Sequence, residues 1–292
     1  MNTWKLGIIG GSGLYAIDGL SDVEELQVET PWGAPSDTLV SGRMDNVELV
    51  FLPRHGRGHR LTPSAVPYRA NIDALKRLGC SDILSISACG SLQEAYAPGD
   101  FVMVDQFIDR TFAREKSFFG PGMVAHVSMA DPICPRLSGL AGAAARQAGV
   151  TVHMGGSYLA MEGPQFSTRA ESHLYRQWGC DVIGMTNMPE AKLAREAELP
   201  YATLAMVTDY DCWRADTAAV EVTNVLEVMA QNTAHAKATI GHLVSALAHQ
   251  PRSPSPTGIE TCLDYALITA PEARDRDILA KLDAVAGRVL GL

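Results

Sequence analysis

The chain lacks the features of several protein classes. Its 24 Lys and Arg residues are outnumbered by 33 Asp and Glu residues, for a formal net charge of -9, whereas a nucleic-acid-binding protein needs a basic stripe. No apolar run approaches the roughly 20 residues of a membrane span, and the first residues lead into a strand pattern instead of a signal peptide. We therefore expect a cytoplasmic protein with no nucleic-acid or membrane partner, whose function depends on a pocket.

The cysteines do not form a recognisable site. Six of them are scattered without a CxxC spacing, mostly among apolar residues. This pattern is typical of buried reduced thiols and not of a disulfide framework. Because no His or Cys cluster has the spacing of metal ligands, we expect no metal site.

Strand-length apolar segments alternate with helical patterns along most of the 292 residues, which predicts an α/β domain over 1–249. A Pro- and Ser-rich stretch, 250–258, reads as a linker, and 259–292 as a C-terminal tail that is helical over 278–290. We predict strands at 6–9, 47–52, 83–87, 101–108, 158–161 and 201–207, and helices at 68–78, 135–148, 168–178, 189–198 and 222–248.

The predicted strand 201–207 ends in Thr208-Asp-Tyr-Asp211. In an extended backbone Asp209 and Asp211 would point to the same face, at the carboxyl end of a strand where α/β sheets bind their ligands. Two adjacent carboxylates do not both ionise readily, so the pair can donate one hydrogen bond and accept another. Adenine requires this combination at N7 and at its 6-amino group. A loop opening or a helix cap is the plain alternative.

Several other strand ends carry groups suited to an anion. Glycine-rich turns with bare N–H groups bind oxyanions, and the planar fork of an arginine donates two hydrogen bonds to one. Each of these residues has an ordinary explanation on its own, as a tight turn or a surface arginine. Together they could enclose one phosphate without a metal: Gly10–Gly13 with Ser12, Arg54 with His55, Ser87 with Ala88, and Thr186.

Two apolar residues could contact the rest of a nucleoside. Phe166 could stack on a planar base, and the soft side chain of Met185 could lie against a sugar. A place in the core is the more common fate of either residue.

Seven segments, in order and with matching spacing over about residues 5 to 248, resemble the trimeric branch of the purine nucleoside phosphorylases. They are Gly10–Gly13, Arg54–Arg57, Ala88–Ser91, Asp105–Thr111, Met161–Ser167, Met185–Glu190 and Thr208–Trp213. The last is similar to that of the members that act on 5′-methylthioadenosine. The resemblance implies one phosphorylase-type α/β domain with a central mixed sheet flanked by helices, and a homotrimer with sites at subunit interfaces. It also implies phosphorolysis of S-methyl-5′-thioadenosine to adenine and 5-methylthioribose 1-phosphate, without a cofactor.

The resemblance also implies a role for individual residues. Asp209 and Asp211 are expected to be the catalytic pair, with Phe166 and Ser167 beside them at the base. By position, Ser12, Arg54, His55, Ala88 and Thr186 are expected at the phosphate, Met185 at the ribose, Val222 and Val225 at the methylthio group, and His126 at the 5′ side of a neighbouring site. Gln165 and Asn187 depart from the Arg and Thr that are frequent in the family.

Other interpretations remain open. An enzyme of the same fold could use inosine, guanosine or methylthioinosine, although an acid at 209 disfavours 6-oxopurines. A nucleoside-binding module without catalysis is a remote alternative. An NAD-dependent dehydrogenase depends on the GxGxxA match at Gly11–Ala16 alone, and Asp18 and Gly19 interrupt the helix that should follow it.

Overall fold

The computed structural model describes residues 4–11, 13, 14, 17–214 and 222–292, and only the backbone of 222–226. The strands are β1 Lys5–Gly10, β2 Ser21–Leu26, β3 Leu39–Met44, β4 Val47–Pro53, β5 Asp82–Ser91, β6 Phe101–Met103, β7 Gln106–Asp109, β8 Val152–Met154, β9 Ser157–Ala160, β10 Val182–Gly184 and β11 Tyr201–Asp209. The helices are α1 Tyr68–Arg77, α2 Pro135–Gln147, α3 Arg169–Gln177, α4 Asn187–Glu196, α5 Val222–Ala248, α6 Arg276–Lys281 and α7 Asp283–Leu290.

The strands form one mixed sheet around β5, in the order β2-β3-β4-β1-β5-β10-β9-β7. β11 pairs with the other edge of β5 and continues the sheet through β6 to β8. β1 and β11 run parallel to β5, whereas β10 pairs antiparallel with its last residues. Strands buried on both faces need apolar side chains throughout, and β11 is buried from Tyr201 to Thr208. The predicted α/β class with a central mixed sheet is confirmed.

The helices follow the signals in the sequence. Gly79, with φ of +75°, ends α1 in the left-handed conformation that favours glycine. Thr168 and Glu171 form a capping box at the start of α3. The predicted apolar stripe of α5 is buried at Ala236, Ile240, Leu243, Val244 and Leu247, where the helix packs against α2 and β11.

The prediction of one strand over 101–108 is wrong. The chain forms β6 and β7 there, separated by Val104 and Asp105, and the two strands pair with different neighbours. β2 was not predicted because it lies at the sheet edge and its residues are largely exposed. Charged residues are common on such edges, so the strand shows no apolar alternation.

The tail packs onto the body of the chain. Ile259, Leu263 and Leu282 belong to the same buried cluster as the strands, and Arg252 in the predicted linker forms an ion pair with buried Asp82 at 2.6 Å. The predicted helical stretch 278–290 is covered by two short helices, α6 and α7.

The six cysteines are all free, four buried and two, Cys212 and Cys262, partly exposed. Among the helices of the described residues, none is long and apolar enough to cross a membrane.

Candidate functional site

The two acids predicted to form a pair lie together at the end of β11. The strand stops at Asp209, after a bulge between Val207 and Asp209. Asp211 lies in a turn with φ of +51°, and its N–H donates to Oδ1 of Asp209 at 2.7 Å. The expectation that both acids share one face of an extended strand is wrong. A local turn closed by the Asp209 side chain brings them together instead.

Burial controls the charge of both acids. Burial raises the pKa of Asp209, although the Thr208 hydroxyl, 2.7 Å from Oδ2, favours the charged form. Asp211 is 6% exposed, and burial, aided by the charge of Asp209, raises its pKa too. Each acid therefore keeps a proton to a higher pH than an exposed Asp does.

Asp211 has an unused acceptor. Its Oδ2 and the Ser172 Oγ are buried and make no hydrogen bond within the part of the chain that the structure describes. The hydroxyls of Ser172 and Ser167 nevertheless favour the charged form of Asp211, and so they partly offset the rise in its pKa that burial causes. A buried polar atom without a partner is costly, which makes Oδ2 a candidate contact for a ligand.

Gly90 on β5 allows the acids to approach the sheet. A Cβ at this position would lie 2.9 Å from Asp209 Oδ1 and 3.4 Å from Asp211 Cβ. Any side chain at residue 90 would therefore displace the carboxyl of Asp209.

Arg54 lies beside the glycine-rich turn, because its backbone N–H donates to the Gly10 carbonyl at 2.9 Å. Its guanidinium, however, forms a bidentate pair with Glu190, with Nε–Oε2 at 2.8 Å and Nη2–Oε1 at 3.1 Å. Nη1 donates to the Ile86 carbonyl and Nη2 to Ser85 Oγ. The expectation that the arginine fork faces an oxyanion is wrong, since Glu190 occupies the fork. With five N–H groups in all, at most one, on Nη1, is left for phosphate.

A buried polar network includes Ser87, one of the predicted phosphate residues. Ser87 Oγ donates to Asn187 Oδ1 at 3.0 Å, and Asn187 Nδ2 donates to the Tyr201 hydroxyl at 2.8 Å. Tyr201 in turn donates to Glu190 Oε1 at 2.8 Å. The network therefore links the hydroxyl of Ser87 to the Arg54–Glu190 pair.

His55 is held as a neutral side chain. Its Nδ1 lies 2.8 Å from the Leu61 carbonyl, and its ring stacks on His59 with centroids 4.3 Å apart. Burial, together with the charge of Arg54, lowers the pKa of His55 to about 4. With Nδ1–H donated to the carbonyl, Nε2 is the ring nitrogen available to a ligand.

Close packing joins the predicted base and sugar segments. The Met185 Sδ lies against Gly163, where a Cβ would approach it to 2.5 Å. Ser167 is partly buried, and its carbonyl accepts from the Cys212 thiol next to Asp211. Phe166 is 49% exposed, so its ring remains accessible.

β5 connects the two ends of the site. Ser85 contacts Arg54 near the glycine turn, whereas Gly90 pairs with Asp209. Ser87 and Gly90 are three residues apart on this strand, which corresponds to about 10 Å in an extended chain. The strand positions of Ser87 and of Gly90, beside which Asp209 lies, are therefore separated by a distance that one sugar can bridge.

The remaining predicted residues are His126, Thr186 and Ala88, which the structure describes, and Ser12, Val222 and Val225. His126 is exposed, and its backbone N–H donates to the Ala266 carbonyl in the tail at 2.9 Å. Ser12 and the side chains of Val222 and Val225 lie outside the described residues. Thr186 is buried at 5% exposure between β10 and α4, and Ala88 pairs with Met206.

Sequence reasoning missed the partners of these residues. Glu190 is 136 positions from Arg54 in the sequence. The one local signal for it is its position in the first turn of a helix that follows a strand. No group of three or more His, Cys, Asp or Glu suited to a metal occurs among the residues that the structure describes.

Comparison with known proteins indicates one family. The pattern of the phosphorylase superfamily matches residues 5–245. The chain is 62% identical over 285 residues to S-methyl-5′-thioadenosine phosphorylase of Cereibacter sphaeroides, with 98% of each chain covered. It is 57% identical to the protein of the same name from Bradyrhizobium diazoefficiens, again with 98% of each covered.

Two solved structures are also similar to this chain. A methylthioadenosine phosphorylase from an antarctic soil metagenomic library superimposes with a TM-score of 0.91 at 49% identity, covering 98% of this chain and 99% of that one. The methylthioadenosine phosphorylase of Schistosoma mansoni in complex with adenine has a TM-score of 0.82 at 42% identity, with 88% and 95% covered.

Proposed function

Because the chain belongs to the phosphorylase superfamily, we propose that it catalyses the phosphorolysis of S-methyl-5′-thioadenosine. The products are adenine and 5-methylthioribose 1-phosphate, and inorganic phosphate is the co-substrate. The names of relatives that span nearly the whole chain support this substrate. The geometric observation that carries the proposal is that the acids lie beside Gly90 near the end of β5, whereas Ser87 and Ala88, assigned to the phosphate, lie two to three residues earlier on the same strand.

Asp209 and Asp211 bind the purine in this proposal. A phosphate oxygen forms a bond to the anomeric carbon as the bond from that carbon to N9 breaks, and the electron pair of that bond enters the purine. Asp209, whose pKa burial raises, supplies a proton to N7 and so neutralises the leaving base. Asp211 Oδ2, buried without a hydrogen-bond partner among the described residues, accepts from the 6-amino group.

The phosphate is held mainly by the strand ends. The donors are the Gly10–Gly13 turn with Ser12, the hydroxyl of Thr186, the backbone of Ala88, and the remaining Nη1 N–H of Arg54. Ser87, whose hydroxyl hydrogen is donated to Asn187, lies beside them. His55 is neutral, since its pKa is about 4, and its Nε2 accepts from the hydroxyl of a monohydrogen phosphate. No metal and no cofactor takes part.

The sugar and its substituent complete the proposed complex. Met185 contacts the ribose, Phe166 and Ser167 border the base, and Val222 and Val225 form the apolar wall for the methylthio group. In this proposal the protein is a homotrimer in the cytoplasm, and a neighbouring subunit contributes His126 to the site. The exposure of its side chain supports a role in a neighbour's site.

The test is an assay of the full chain with and without phosphate. We expect adenine and a sugar phosphate in equal amounts when phosphate is present, and no adenine when it is omitted. Methylthioinosine and inosine should be poor substrates, because a 6-oxo group faces the Asp211 acceptor and leaves a mismatched polar contact of about 1–3 kcal/mol.

Other outcomes would change the assignment. Faster turnover of methylthioinosine or inosine would identify a 6-oxopurine enzyme. Binding of methylthioadenosine without release of adenine would identify a binding module. A thermal shift with NAD, and none with methylthioadenosine, would support the dehydrogenase alternative.

A further inference from the structure

Arg114 is a buried cation to which the proposed reaction assigns no role. It lies in the loop after β7, and its side chain is 1% exposed. A guanidinium removed from water must direct its N–H groups to protein acceptors. The acceptors of Arg114 therefore indicate the role of the side chain.

Most of these acceptors are carbonyls from two separate segments of the candidate site. Nη1 donates to the carbonyls of Met185 and Met188, the latter at 2.7 Å. Nη2 donates to the carbonyl of Glu162 at 2.6 Å and lies 3.4 Å from that of Met161. The segment 161–162 follows β9, and the segment 185–188 follows β10.

Two further contacts fix the guanidinium itself. Nη1 lies 3.2 Å from the Tyr68 hydroxyl at the start of α1, and Nε lies 3.4 Å from Ser64 Oγ. The Glu162 carboxylate is 3.5 Å from Nε and also accepts from the Phe112 N–H at 2.6 Å. The planar fork therefore has a single orientation, and it joins both segments at once.

Each segment leads directly to residues of the proposed site. Met185 shares a planar trans peptide with Thr186, so a donor that fixes the Met185 carbonyl also fixes the direction of the Thr186 N–H. The carbonyls of 161 and 162 precede the stretch that carries Phe166 and Ser167. The contact of Met185 Sδ with Gly163 shows that the two segments touch.

We propose that Arg114 is a positioning residue, which holds the base-side segment 161–167 and the sugar- and phosphate-side segment 185–188 at the separation that the reaction requires. This inference depends on the proposed function. Arg114 touches no reacting atom and acts through the two peptide segments that it joins.

Arg114→Lys tests the proposal, because lysine keeps the charge but lacks the planar fork. The matched control is Arg195→Lys. Arg195 is also buried, at 5% exposure, and donates to the carbonyls of Ser128 and Asp131, neither of which is assigned to the proposed site. Both variants and the wild type are compared in thermal unfolding and in steady-state kinetics, with methylthioadenosine and phosphate varied in turn at a temperature where each is folded.

We expect Arg114→Lys to lower kcat/KM for methylthioadenosine by about 10²-fold, the size expected for a misplacement near 1 Å, and to raise KM for phosphate as well. Arg195→Lys should lower the melting temperature without changing either constant. Equal kinetic constants in the two variants would overturn the positioning role while leaving the proposed function intact. A wild type that releases no adenine would overturn both.

A milder variant covers the case in which Arg114→Lys does not fold. Ser64→Ala removes one contact of Nε and one donor to the Glu162 carboxylate. We expect KM for both substrates to rise by about fivefold, the effect of one hydrogen bond. Constants unchanged from the wild type would refute the proposal.

Discussion

Arg54 and Glu190 form a bidentate ion pair that is almost fully buried, with side chains 3% and 2% exposed. Burial alone would lower the pKa of Arg54, but the neighbouring charge of Glu190 raises it above its ordinary value. The pair lies where β1, β4 and β5 meet, below the glycine turn. Arg54, which sequence similarity places at the phosphate, therefore has a structural role in the sheet.

Removal of Glu190 should destabilise the protein strongly. Glu190→Gln leaves the Arg54 charge buried without its partner, so we expect the free energy of unfolding to fall by about 3–5 kcal/mol. Urea denaturation measures this difference. The control is Glu48→Gln, because Glu48 pairs with Lys5 and Arg43 at the surface and should change stability by less than about 0.5 kcal/mol. Similar losses in both variants would contradict the structural role of the buried pair.

Replacement of Asp209 should remove the proposed proton donor. We expect Asp209→Asn to reduce turnover of methylthioadenosine by about 10²- to 10⁴-fold and to leave the melting temperature nearly unchanged, since burial already raises the pKa of this carboxyl. Steady-state kinetics and thermal unfolding check the two parts. Asp264→Asn, at an exposed ion pair with Arg288 in the tail, is the control. Near-normal turnover by the Asp209 variant would exclude the catalytic role.

Replacement of Asp211 should change the choice of base. An asparagine can donate to a 6-oxo group, whereas the carboxylate can only accept from a 6-amino group. We expect Asp211→Asn to lower the ratio of kcat/KM for methylthioadenosine to that for methylthioinosine by about 10- to 100-fold, in line with one unsatisfied buried contact. The measurement is a direct competition between the two nucleosides. An unchanged ratio would show that Asp211 does not read the 6-position.

The sequence was informative where the signal is local. The apolar run 201–207 followed by two acids predicted β11 and the position of Asp209, and the helix from Val222 to Ala248 was predicted with its bounds. The turn that brings Asp211 to Asp209 was not predictable, because it depends on a left-handed residue other than glycine. A strand that continues through Tyr210 is equally compatible with the sequence pattern.

The partners of the site residues were beyond sequence reasoning for a different reason. Hydrogen bonds such as those from Arg54 to Glu190 or from Arg114 to Met185 join positions 136 and 71 residues apart. Periodicity reports the burial of an element but not which polar side chain it meets. The family resemblance predicts which residues contact the substrates, whereas only the fold shows that the fork of Arg54 already faces a carboxylate.

The neutral state of His55 predicts a dependence of stability on pH. Its folded pKa of about 4 lies below the ordinary value of 6.5, so the unfolded state binds more protons between these values. The free energy of unfolding should therefore fall as the pH decreases from 6.5 to 4, by about 3 kcal/mol from this residue. His55→Gln should lose that part of the acid destabilisation. The check is urea unfolding at a series of pH values, with His249→Gln, at an exposed position, as the control. The same pH dependence in the wild type and in both variants would contradict a buried neutral His55.

Gly90 should be required for activity because of the space it leaves. A Cβ at residue 90 would lie 2.9 Å from Asp209 Oδ1 and 3.2 Å from Ile183 Cγ2, so Gly90→Ala must displace the carboxyl or the strand. We expect kcat/KM to fall by about 10²-fold, as for a misplaced catalytic group. Gly241→Ala is the matched control, because Gly241 lies within α5 with nothing within 4 Å of an added Cβ, and alanine favours helix by about 1 kcal/mol. That variant should keep full activity and gain stability. If Gly90→Ala retained normal turnover with a normal melting temperature, the approach of Asp209 to β5 would not matter to the reaction, and the acid would have to act from another position.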